Sequence, residues 1–137
     1  MTVSLNEDGS RVFDGENLLQ IAMPMGGIGA GCVCLSGTGG VQDFSIRHAP
    51  ALSAVPDSSG LNTRDAVFAL LHVNGERSVT KLVEGPFPRE KIYDQGLQGN
   101  GYTHGGYEGL PRFEGCTFTA EFPFGSAKLT HSRVPLE

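Results

Sequence analysis

The chain has 137 residues, enough for one compact domain or part of a larger one and too few for two of ordinary size. Its 15 Asp and Glu outweigh 10 Lys and Arg, for a formal charge of -5 with no basic cluster, which argues against nucleic acid as a partner. No apolar run approaches the roughly 18 residues of a membrane span, and 20 glycines with 8 prolines favour turns over helices.

The N-terminus, from Met1 to Arg11, lacks the basic-then-apolar order of a secretory signal. Cys32, Cys34 and Cys116 form an odd set, and the first two lie too close to bridge within an extended strand. Together these features lead to the expectation of buried thiols in a reducing, cytoplasmic compartment. The absence of Trp weighs against a stand-alone sugar-binding module, although 3 Tyr and 8 Phe could still stack on a sugar.

Along the chain, residues 1–12 read as a polar lead-in, with Asn6-Glu7-Asp8-Gly9-Ser10 as a turn. Residues 16–21 suit one helical turn, which Pro24 and Gly26, Gly27, Gly29 and Gly31 keep from extending. Residues 28–36 and 41–47 predict a hairpin around Gly37-Thr38-Gly39-Gly40, with Asp43, Ser45 and Arg47 on a wet face and Phe44 and Ile46 on a dry one. Residues 49–64 form a turn-rich loop. Residues 67–73 are apolar on both faces and predict a central strand covered on both sides, followed by Asn74-Gly75 as a hairpin signal and a return arm at 78–83. A second long loop, 96–109, mixes glycines with Tyr102, His104 and Tyr107. Cys116, Phe118, Ala120 and Phe122 then alternate with Thr117, Thr119 and Glu121 as a half-buried strand, and another strand follows Pro123-Phe124-Gly125. The chain reaches Glu137 with too few strands to cover 67–73, which predicts a fragment.

The glycine run 26–31 fits neither phosphate-loop spacing and leads into a strand, so Pro24, Gly26, Gly27, Gly29 and Gly31 are assigned to a structural turn. Potential metal ligands, Cys32, Cys34, Cys116, His48, His72, His104 and His131, show no ligand spacing, and no metal is expected. His72 reads as a satisfied core or edge histidine. No nucleophile elbow is present. Among carboxylates, Glu108 and Glu114 flank the aromatic loop and Asp43 neighbours Arg47, but nothing pairs them at the separation that glycoside hydrolysis requires.

The run Ile21-Ala22-Met23-Pro24-Met25-Gly26-Gly27-Ile28-Gly29-Ala30-Gly31 is followed in order by Leu35-Ser36-Gly37, Gln42-Asp43-Phe44-Ser45-Ile46, Val67-Phe68-Ala69-Leu70, Leu82-Val83-Glu84-Gly85-Pro86, Gly109-Leu110-Pro111 and Ala120-Glu121-Phe122-Pro123-Phe124. This series closely resembles the N-terminal domain of the non-lysosomal glucosylceramidase and β-glucosidase family of glycoside hydrolases. Phe44-Ser45 and His48-Ala49 stand where that family more often has Trp-Glu and Asn-Arg, which suggests a divergent, bacterial branch. The resemblance implies a β-sandwich packed on a C-terminal (α/α)6 toroid, which holds the Glu nucleophile and Asp acid/base of a retaining β-glycosidase. That toroid lies outside these residues, so neither catalytic carboxylate is assigned here and no cofactor is expected.

The resulting expectation is an all-β, antiparallel β-sandwich over residues 13–137, the incomplete N-terminal part of a larger domain. Alone it would be inactive. Its partners would be the catalytic (α/α)6 domain and a glycoside substrate near the interface, with Tyr102, His104 and Tyr107 as cleft-bordering candidates. An independent carbohydrate-binding or adhesion sandwich remains the alternative.

Overall fold

The computed structural model describes residues 4–46, 67–86 and 110–134. Among these, nine strands form antiparallel sheets in a sandwich-like, all-β fold, and no helix is long and apolar enough to cross a membrane.

Alternation of apolar and polar residues produces the longest hairpin, β8 (Gly115–Glu121) with β9 (Phe124–Thr130). Its inward column pairs Cys116 with Leu129, Phe118 with Ala127 and Ala120 with Gly125. Phe118 is completely buried, and removing such a side chain from water contributes about 2–3 kcal/mol. The connection is the two-residue turn Phe122-Pro123, whose peptide bond is cis.

The segment read as a polar lead-in contributes to this sheet. Ser4–Leu5 (β1) and Arg11–Asp14 (β2) pair with each other, and β2 pairs with β8, placing Phe13 opposite Phe118 in the order β1-β2-β8-β9. Short strands of mixed polarity carry little periodic signal, and their partner comes from the far end of the chain. The expected helical turn is a 3-10 helix, Gly15–Gln20, which buries Leu18.

A second sheet has the order β3 (Ala22–Met25), β4 (Cys32–Ser36) and β5 (Val41–Ser45). The expected wet and dry faces of 41–47 are not observed: Gln42 is buried and Ile46 is half exposed. The cause is a bulge. Cys34 pairs with Gln42 but Cys32 with Ser45, and the extra residue is accommodated beside Asp43, whose φ of 55° breaks the two-residue period.

Strand β6 (Leu70–Val73) pairs with β7 (Val79–Leu82) across the connection 74–78. The expected central strand is corrected: β6 pairs only with β7 among the described residues, and Val67 and Leu70 stay more than half exposed. Single bridges join this pair to its surroundings, Val41 to Val67 and Leu82 to Arg112.

Small residues let the sheets approach. A Cβ on Gly125 would overlap Met23 Sδ and the Phe118 ring, one on Gly85 would overlap Cys116, and one on Gly37 would overlap the Leu18 backbone. The turn 36–40 thereby meets the 3-10 helix, while Cys116 Sγ donates to Gly37 O (3.4 Å) and Gly85 N–H donates to Thr38 O (2.7 Å). Because the Leu18 backbone cannot yield as a flexible side chain would, Gly37→Ala is expected to cost about 1–3 kcal/mol in urea unfolding. Gly75→Ala, with open space around it, should stay within about 0.5 kcal/mol of the parent.

Candidate functional site

The turn at Asn6 to Ser10, the 3-10 helix, β3 and β8 enclose a cleft of about 710 Å³. Local bonds shape its upper wall: Gly9 N–H donates to Asn6 O (3.0 Å), Asn6 Nδ2 to Ser10 Oγ (2.8 Å), and Ser10 N–H to Asp8 Oδ1 (2.9 Å). The Ser10 hydrogen bonds hold the Asp8 carboxyl below the usual range. Phe13, Met23 and Phe122 give the cleft apolar surface, and Asn17, Gln20 and Glu121 supply polar groups. This size and mixture suit a small ligand with an apolar face and hydrogen-bonding edges.

The assigned turn residues divide between two elements. Pro24 lies within β3, opposite Cys34, on an edge strand that tolerates its missing N–H. Gly26, Gly27, Gly29 and Gly31 lie in the β3–β4 connection, where Ala30 N–H donates to Gly27 O (3.0 Å). Two glycines there are sterically required: a Cβ on Gly26 would overlap Gly31 O, and one on Gly31 would fall 2.7 Å from Ser45 O. The connection carries Ile28 in full exposure, flanked by the partly exposed Met25, while Ile46 lies against Gly31 and is also partly exposed.

The polar centre of the fold was invisible in the sequence. Arg112 Nη2 donates to Glu84 Oε2 at 3.3 Å, and both side chains are almost wholly shielded from solvent. Gly40 leaves room for the Glu84 carboxylate, beside the Ser36 hydroxyl that shares a 3.0 Å hydrogen bond with Thr38 Oγ1. Burial pushes the Glu84 carboxyl up, with Arg112 opposing that shift. The partners are 28 residues apart in sequence, and no spacing rule connects two such positions in strands and loops. The one available signal was a charged residue two positions beyond the end of β7, after the apolar pair Leu82-Val83.

Other candidates have local structural roles. Glu114 accepts Ser132 N–H (2.9 Å) and Oγ–H (3.1 Å) and lies 3.4 Å from His131 Nε2, and the Ser132 bonds hold its carboxyl below the usual range. His131 Nδ1 accepts Arg133 N–H (3.0 Å), so this cluster fixes the turn after β9. His72 stands on the exposed hairpin between Thr80 Oγ1 (2.7 Å) and Asn74 Oδ1 (2.9 Å). The three cysteines are free; burial pushes Cys34 and Cys116 to about 11, with nearby Asp43 adding to the shift at Cys34. Among the described residues no three His, Cys, Asp or Glu side chains group as metal ligands. Tyr102, His104 and Tyr107 lie outside the described residues, as do Arg47, His48 and Glu108.

Residues 22–137 match the family model described as beta-glucosidase 2, glycosyl-hydrolase family 116 N-term. No curated protein and no solved structure matches the chain.

The raised Glu84 carboxyl fixes the sign of a pH effect. A carboxyl whose folded pKa exceeds its unfolded one contributes stability that is fully present below the unfolded value and is lost as pH rises through the folded value. Chemical unfolding of Glu84→Gln should therefore show a smaller decline across that interval than the parent. An unchanged or steeper decline would refute the assignment to Glu84.

Proposed function

The chain belongs to the glycosyl-hydrolase family 116 N-terminal domain family, and from that membership we propose that it is a non-catalytic β-sandwich part that supports and borders the catalytic domain of a glycoside hydrolase. The parent reaction is retaining hydrolysis of β-glucosides, in the cytoplasm of a bacterial cell. The catalytic carboxylates belong to an (α/α)6 domain, and this chain supplies a docking surface, with Tyr102, His104 and Tyr107 at the substrate mouth.

One observation carries the docking reading: Ile28 is fully exposed on a glycine connection whose backbone is held by close approaches at Gly26 and Gly31. A protruding apolar side chain on a pinned loop loses little conformational freedom when buried, so it suits an interface anchor. Met25 and Ile46 extend that apolar surface. Glu84 and Glu114 are engaged by Arg112 and Ser132 respectively, arrangements that serve the fold and leave neither poised as a hydrolytic pair.

A second reading, an independent carbohydrate-binding module, is favoured by the cleft beside Phe122, where aromatic surface adjoins Asn17, Gln20 and Glu121. It predicts saturable binding of a β-glucoside by the chain alone, sensitive to Phe122→Ala.

The docking reading predicts a complex when the chain is titrated onto an (α/α)6 catalytic domain of this family in sedimentation velocity. Ile28→Ser should weaken it roughly tenfold or more, as for a central anchor, while leaving the thermal midpoint of the chain in place. Absence of a complex, indifference to Ile28→Ser, or β-glucoside hydrolysis by the chain itself would each overturn the reading.

A further inference from the structure

The tip of the β6–β7 hairpin holds a chain of three polar side chains that neither the core nor the cleft uses. His72 Nε2 lies 2.9 Å from Asn74 Oδ1, and His72 Nδ1 lies 2.7 Å from Thr80 Oγ1. An amide oxygen can only accept, so Nε2 donates to it and carries the ring proton. In the neutral imidazole Nδ1 then accepts the Thr80 hydroxyl. Thr80 stands directly opposite His72 in the ladder, so a paired strand sets the tautomer and aims the ring N–H at the Asn74 side chain.

The following residue supplies a second reactant. Gly75 lies in the connection 74–78, has nothing within 4 Å of the place a Cβ would take, and among the described residues no group accepts its N–H. His72, Thr80 and every residue from Asn74 to Ser78 are exposed, so water reaches the whole group. Glycine also has the torsional freedom that lets its nitrogen turn toward the preceding side chain.

We propose that Asn74 is a site of spontaneous deamidation through a cyclic imide, with His72 as the acid that promotes it. The Gly75 nitrogen gives its proton to solvent base and attacks Asn74 Cγ. As the new N–C bond forms, the carbonyl electron pair moves onto Oδ1, where the His72 N–H stabilises the developing charge. The Cγ–Nδ2 bond then breaks, and Nδ2 takes a proton from solvent and leaves as ammonia. Water opens the imide at either carbonyl, giving Asp or isoaspartate at position 74. Water is the sole co-reactant. Either product adds a negative charge to a chain of formal charge -5 and sets a carboxylate beside His72. Isoaspartate also inserts a methylene into the main chain that joins β6 to β7. A histidine that merely clamped the amide in place would have the opposite effect on the rate, so the sign of the change on removing His72 separates the two roles.

The test is peptide mapping by mass spectrometry of the protein held at neutral pH over a time course, following the amide-to-acid mass gain at each asparagine. Asn74 should convert faster than Asn17, which precedes Leu18 within the 3-10 helix. Gly75→Ala should slow conversion roughly tenfold or more, because the added methyl group restricts the backbone rotation. His72→Phe keeps a flat ring suited to a strand but has no N–H, and should slow conversion roughly tenfold. Circular dichroism melts of both variants check that the fold is kept. Conversion of Asn74 no faster than that of Asn17, a Gly75→Ala protein that converts as fast as the parent, or a His72→Phe protein that converts as fast or faster would overturn the proposal.

Discussion

The turn 36–40 is the point on which the sheets converge. On one side Gly37 lies against the Leu18 backbone; on another, Thr38 O holds the Gly85 amide. Gly39 approaches the Ala127 side chain, and Gly40 admits the Glu84 carboxylate. Ser36 and Thr38, both buried, satisfy each other through a 3.0 Å hydrogen bond, and Ser36 Oγ also accepts the Gly40 N–H at 3.0 Å. The turn therefore satisfies part of its polar groups internally, and the Gly85 amide and the Cys116 thiol take the Thr38 and Gly37 carbonyls. A buried turn without those bonds would carry a desolvation penalty comparable to the packing it enables.

Around this turn, cohesion depends on proximity more than on bulk. Large buried apolar side chains are few among the described residues, with Phe118 and Leu82 the ones removed entirely from solvent. Backbone approach at Gly37, Gly85 and Gly125 compensates by bringing many atoms to van der Waals distance, where small individual attractions accumulate. Elsewhere, large apolar groups remain in water: Ile28 on the glycine connection, and Phe122 and Phe124 at the β8–β9 turn. The fold thus combines a tightly joined interior with an apolar exterior, a distribution consistent with one part of a larger glycoside hydrolase.

The sequence made the regular parts of this architecture readable. Alternation from Cys116 onward marked β8, the Gly-rich tetrapeptide after Ser36 marked the β4–β5 hairpin, and the 16–21 segment yielded a short helix at Gly15–Gln20. What escaped were features set by distant partners. Arg11–Asp14 becomes a strand because β8 accepts it, and Asp43 adopts a positive φ where β5 absorbs an extra residue against β4. The symmetry of the two-residue period hid that bulge, because one inserted residue reverses every face beyond it. Of the candidate site, the glycine connection was legible as a constrained turn, but Pro24 belongs to the adjoining strand. The cleft required β2, β3 and β8 to be assembled before its lining existed.

The Glu84–Arg112 pair also constrains how this domain can diverge. Each residue is the charge partner of the other in a place with little water, so a substitution that neutralises one leaves an ion stranded among buried atoms. Related sequences are therefore expected to change these two positions together, passing from an ion pair to two uncharged residues of matching volume in linked steps. The glycine at position 40 would join that correlation, because the space it leaves is occupied by the carboxylate and could admit a larger residue once the carboxylate is lost. Three positions far apart in the chain would then be inherited as one unit.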